Sequence, residues 1–101
     1  FARMKDTAVL VNVARGPIVD TDALSIALDN GSLAGVGLDV FPEEPPETDD
    51  PLRTHERVLT TPHVAWYSEE ANTERRRAAA ENVRAALLGE EIENVVNDVE
   101  T

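Results

Sequence analysis

The sequence predicts an α/β layered domain built on a parallel sheet. Three observations point there: a short, valine-rich apolar run at Ala8 to Ala14, two stretches with helical apolar spacing, and two further apolar runs set between them. The order strand, helix, strand, loop, strand, helix belongs to parallel strands joined by right-handed crossovers.

Each element has its own signal. Ala8 to Ala14 (AVLVNVA), interrupted only by Asn12, reads as a parallel strand buried on both faces. After Arg15-Gly16-Pro17, Asp20 to Asn30 places apolar residues at Ala23, Leu24, Ala27 and Leu28, with Asp20 or Thr21 as N-cap and Gly31 just past the end. Leu33 to Val40 (LAGVGLDV) is a second strand whose small residues would let a helix pack closely; it runs into the Pro- and acid-rich loop Phe41 to Pro51. Val58 to Thr61 is a third strand, stopped by Pro62, which lacks an N–H. Ser68 then caps a long helix, with Glu69 and Glu70 complementing its dipole and Gly89 ending it. Ala71, Ala78, Ala79, Asn82, Val83, Ala86 and Leu87 predict its narrow apolar face, and the triplet Arg75 to Arg77 is expected to pair with nearby Glu. The apolar tail Ile92 to Val99 would dock on another domain. Residues 1–89 therefore read as one domain and 90–101 as a tail leading from it.

Composition limits the function. With 101 residues, 42% of them hydrophobic, the chain can bury one modest core. No apolar run approaches the roughly 20 residues a membrane helix requires, and nothing resembles a secretion signal, so a soluble, cytoplasmic protein is expected. The absence of cysteine removes disulfides, thiolate metal sites and Cys nucleophiles, and two distant histidines fit no zinc spacing. The 20 acidic against 9 basic residues give a net charge of −11, which repels nucleic acid and anionic lipid. Basic residues other than Lys5 are arginines and the acids are dispersed, a pattern matching either a salt-adapted surface or an ordinary acidic protein.

In an open parallel sheet, ligands bind beyond the carboxyl ends of the strands. Arg15 follows the first strand, Asp39 and Glu44 the second, and His63 the third. Arginine offers a planar fork that holds a carboxylate and polarises the adjoining carbonyl. Imidazole can protonate the carbonyl oxygen as hydride reaches carbon, and a carboxylate neighbour, Glu44 with Glu43 its competitor, would orient the ring. The set suits reduction of a 2-oxo acid. Separately, each group also has a structural reading as an ion-pair partner, solvated charge or strand cap. His55, in a polar loop, receives no role.

VNVARGPIVDTDAL, GVGLDVFPEEP and TTPHVAWYSEEA, in that order and spacing, resemble the three signature segments of the D-isomer-specific 2-hydroxyacid dehydrogenases, over about residues 1–89. The resemblance implies a partial Rossmann-like sheet, the C-terminal half of a dinucleotide-binding domain. It implies that Arg15 binds substrate, that Glu44 partners the acid/base His63, and that Val13, Ala14, Arg15, Asp39 and His63 lie at the nicotinamide end of NAD, with NADP not excluded. Pro17 replaces a glycine found in many members. The segment HVAWYSE is closer to the C-terminal-binding-protein branch, where the tryptophan borders the substrate pocket, so Trp66 either shapes that pocket or packs a domain junction. That branch also supplies the alternative of an NAD(H)-sensing, non-catalytic co-repressor.

Gly35-Val36-Gly37 lies in a strand and lacks a third glycine, so it is not the phosphate-binding turn. That turn is expected upstream, most of the substrate domain is expected to lie outside this stretch with the tail 90–101 leading to it, and this stretch alone is expected to be inactive. An unpaired strand edge would also favour a homodimer or swapped assembly.

Overall fold

A computed structural model describes residues 1–97; the end of the expected tail, residues 98–101, lies outside them. The chain forms two compact units, Phe1–Ala65 and Trp66 onward.

In the first unit, β1 (Val9–Asn12), β2 (Gly35–Leu38) and β3 (Val58–Thr60) form a parallel sheet in the order β1-β2-β3. Leu10 pairs with Val36 and Asn12 with Leu38, while Val36 pairs with Val58 and Leu38 with Thr60. α1 (Thr21–Asp29) connects β1 to β2 and begins where the Asp20 carboxylate accepts the Ala23 N–H at 3.0 Å. Gly31, at φ +75°, turns the chain out of it. The fold is thus the expected α/β arrangement, with β1 and β2 trimmed at both ends and β3 at its C-terminal end.

The core is one-sided. Leu24, Ala27 and Leu28 of α1 cluster with Leu33, Val36, Leu38, Phe41 and Leu52. Alternation then sends Val9 and Val11 to the opposite face, where they are 63% and 65% exposed, so β1 is not the doubly buried strand expected from its composition. The same alternation turns Gly35 and Gly37 away from α1. A Cβ on Gly37 would meet only the Val11 methyls, at 3.6 Å and 3.7 Å.

Two short elements go beyond the expected ones. Gly16–Ile18 forms a 3-10 turn, and α2 (Pro51–Thr54) starts at Asp50, whose carboxylate accepts the N–H groups of Leu52 and Arg53. Asp-Pro at N-cap and N1 is a helix-start signal, and α2 uses it to bury Leu52. Arg57 donates to the Leu28 carbonyl in the last turn of α1 and to the Leu33 carbonyl in the connection to β2, while the His55 Nδ1 accepts the Arg57 N–H at 3.0 Å. Leu28 is fully buried. Leu28→Ala is expected to cost about 2–5 kcal/mol of stability, measured by denaturant unfolding of the whole protein.

The second unit contains α3 (Glu69–Leu88), with the Ser68 hydroxyl accepting the Ala71 N–H at 3.0 Å and Gly89 closing it at φ +67°. Its shielded stripe runs through Ala78, Asn82 and Ala85. Val83 and Leu87, placed on the apolar face by spacing, are 61% and 81% exposed. Arg77 pairs with Glu74 and Glu81, as charge spacing suggests, whereas Arg75 lies over the Trp66 ring and donates to Asn72. In the described part of the tail, Val96 is 95% exposed.

Candidate active site

The carboxyl ends of the three strands carry the site. At the last residue of β1, the buried Asn12 amide donates to the Arg15 carbonyl at 3.0 Å, and its oxygen accepts the Ala14 N–H at 3.1 Å. One interrupting amide thereby shapes the loop that bears Arg15. A polar residue inside an apolar strand run was the available signal, though its partners could not be read from spacing. The Arg15 guanidinium is exposed and donates to the Ala14 carbonyl at 2.6 Å. Val13 and Ala14 lie exposed beside it.

Gly16 lies against the loop after β2. A Cβ there would come within 2.0 Å of the Phe41 carbonyl carbon and 2.2 Å of the Pro42 nitrogen. Backbone thus meets backbone, bringing the Arg15 loop to the segment containing Glu44.

Glu44 is held through both carboxylate oxygens. Oε1 accepts the Phe41 N–H at 3.0 Å, and Oε2 lies 2.7 Å from the His63 Nδ1. The hydrogen bond with His63, then that from Phe41, and the charges of His63 and Arg15 hold this carboxyl below its ordinary range against a smaller opposing effect of desolvation. Arg15 is therefore near enough for Glu44 to feel its charge, while the Glu44–His63 pair is in direct contact. Glu43 is exposed.

Asp39, 4% exposed, accepts from the Thr61 hydroxyl at 2.5 Å and from the N–H groups of Val64 and Ala65 at 2.8 Å and 2.9 Å. Burial on its own would raise its pKa, but these hydrogen bonds and the His63 charge together lower it. Asp39, Glu44, Thr61, Pro62, His63 and Arg53 border a cavity of about 400 Å³. Trp66 belongs to the second unit, 49% exposed, with its ring edge-on to Tyr67 at 5.5 Å.

A lowered carboxyl pKa in the folded state adds stability that is present above the unfolded carboxylate pKa and disappears as pH falls through the folded value. Glu44 and Asp39 both act in this sense. Glu44→Gln is therefore expected to flatten the fall of melting temperature below about pH 4.3, the ordinary glutamate range. Melting curves across that range check it; an acid limb as steep as in the parent would contradict the assignment.

Among the described residues, no group of three or more His, Asp or Glu side chains gathers as a metal site would, and no helix is long and apolar enough to cross a membrane.

Comparison with known proteins identifies the family. Residues 1–65 match the family described as D-isomer specific 2-hydroxyacid dehydrogenase, NAD binding domain. The chain is 44% identical over 97 residues to glyoxylate/hydroxypyruvate reductase B of Pectobacterium carotovorum, covering 96% of this chain and 30% of that protein. It is 48% identical over 95 residues to the glyoxylate reductase of Korarchaeum cryptofilum, covering 94% and 29% respectively. The chain thus spans about three-tenths of the curated relatives it matches. A D-isomer specific 2-hydroxyacid dehydrogenase from Xanthobacter autotrophicus Py2, solved with NADPH and MES, superposes with a TM-score of 0.79 at 39% identity, over 92% of this chain and 38% of that one.

Proposed function

Since the chain belongs to the D-isomer specific 2-hydroxyacid dehydrogenase family, within its NAD-binding domain, we propose that the protein carrying it reduces a small 2-oxo acid to the D-2-hydroxy acid with NADH or NADPH. The observation that carries this reading is the 2.7 Å contact between His63 Nδ1 and Glu44 Oε2 at the strand ends. In this reading Nδ1 is oriented by the carboxylate and Nε2 is the nitrogen that hands a proton to the carbonyl oxygen. Arg15 binds the substrate carboxylate and polarises the adjoining carbonyl. When bound beside Val13, Ala14 and Asp39, the nucleotide would supply hydride chemistry for that carbonyl.

The residues present fit the nicotinamide end of that cofactor. Val13 and Ala14 are exposed small or apolar side chains at the end of β1, suited to a flat ring, and Asp39 closes β2 with an acceptor for an amide. Gly35 and Gly37 lie within β2, so they do not make the phosphate-binding turn. The family description specifies NAD and the Xanthobacter structure holds NADPH, so both nucleotides are candidates. The open edge of β1 is the place for pairing with other strands of the domain or with a second copy. A sensor without turnover gives no reason for an aligned His–Glu pair.

Glyoxylate and hydroxypyruvate, the substrates in the relatives' names, are the first to test. The full-length protein is expected to oxidise NADH or NADPH in the presence of one of these or a related 2-oxo acid, followed by nicotinamide absorbance. Nucleotide binding without turnover of any member of a 2-oxo acid panel would overturn the enzymatic reading in favour of a sensor.

A further inference from the structure

We infer that Asp39 is a positioning residue, whose buried carboxylate clamps the loop on both sides of His63 and thereby holds the imidazole against Glu44. This rests on the reductase reading and gives Asp39 a role beyond facing the cofactor. The side chain's three donors are Thr61 Oγ1 at 2.5 Å, the Val64 N–H at 2.8 Å and the Ala65 N–H at 2.9 Å. Thr61 precedes His63 by two positions, and Val64 and Ala65 follow it immediately.

His63 needs such restraint. Its φ is +54°, in the left-handed region that a residue with a Cβ adopts at a cost, and its N–H folds back onto the Thr61 carbonyl at 3.0 Å. Released, the loop would relax toward negative φ and swing the ring away from Glu44. Asp39 is itself anchored: its N–H donates to the Asn12 carbonyl at 3.0 Å, and the Thr61 N–H donates to the Leu38 carbonyl at 3.0 Å, extending the sheet ladder past its last residues. A buried charge requires its full set of donors, so here the donors fix the loop and the loop satisfies the charge. Of about four acceptor positions on a carboxylate, three are occupied within the chain. A cofactor amide could take the fourth, but it is not the principal partner.

The test uses full-length protein with labelled histidine ring nitrogens, the His63 signal being identified by its loss in His63→Gln. Asp39→Asn and Thr61→Val are each expected to weaken the hydrogen-bonded Nδ1 proton signal of His63, and Thr61→Ser to preserve it. Asp39→Asn should lower kcat with glyoxylate by up to about 10²-fold, the scale of a misplaced catalytic group, a larger factor than any rise in the Kd for NADH. A folded Asp39→Asn protein with the parental ring signal would overturn the clamp; so would an unchanged kcat alongside weakened NADH binding, which assigns Asp39 to the cofactor alone. If Asp39→Asn does not fold, the Thr61→Val and Thr61→Ser pair decides by the same ring signal. If the parent reduces no 2-oxo acid, the reductase reading fails, whereas the ring signal still decides the clamp.

Discussion

His63→Gln in the full-length protein is expected to lower kcat for 2-oxo acid reduction by about 10²- to 10⁴-fold, the range for removal of a general acid. Glutamine retains a polar side chain of similar reach but cannot deliver a proton at neutral pH, so the loss should fall on the chemical step. Glu44 Oε2 meets the ring at Nδ1 at 2.7 Å, and the side chain is 39% exposed. Nucleotide affinity should change less than kcat, because the role proposed for His63 is exercised on the substrate oxygen. Glu44→Gln should lower kcat in the same direction but by less, since the ring survives and loses only its charged partner. Arg15→Ala should act differently, raising KM for the oxo acid through loss of the carboxylate fork. Steady-state rates with saturating nucleotide separate these three signatures. Parental kcat in His63→Gln would remove His63 from the reaction.

The alternation of elements was legible in the sequence because local chemistry specifies it. Asp20 and Ser68 cap where their hydroxyl or carboxylate can reach a free N–H, and Gly31 and Gly89 take the positive φ that ends each helix. Side-chain type also placed Arg15, Glu44 and His63 beyond the strand ends, since polar residues after apolar runs mark that edge of a parallel sheet. Burial was less legible. Val9 and Val11 look like core by composition, yet whether a strand's second face is covered depends on what packs there, and α1 covers only the face of Leu10 and Asn12. On α3 the alanine-rich stretch offers several stripes of nearly equal polarity, so spacing alone did not favour Ala78, Asn82 and Ala85 over the stripe through Val83 and Leu87. Least visible were contacts distant in sequence. The bonds from Thr61, Val64 and Ala65 to Asp39 span 22 to 26 residues, and no local pattern announces them.

Gly16→Ala is expected to destabilise the protein by about 1–3 kcal/mol, the usual range for overpacking, and to reduce kcat/KM by about 10²-fold, the scale of a displacement near 1 Å. Space imposes this requirement, since Gly16 has no positive φ to protect. The new Cβ would lie 2.0 Å from the Phe41 carbonyl carbon, 2.2 Å from its oxygen and 2.2 Å from the Pro42 nitrogen, all backbone atoms that cannot rotate aside. Relief requires the two loops to separate. One of them carries Arg15, a single residue away, and the other carries Glu44, three residues beyond Phe41 and joined to it by the 3.0 Å bond from the Phe41 N–H. Separation therefore moves the Arg15 guanidinium away from the His63–Glu44 pair without removing any side chain. Gly37→Ala is the matched control, because its Cβ would meet the Val11 methyls at 3.6 Å and 3.7 Å, ordinary contact distances. Thermal unfolding and kcat/KM of both variants give the comparison. If Gly16→Ala matches the parent in both measurements, the close approach of these two loops does not hold the site together.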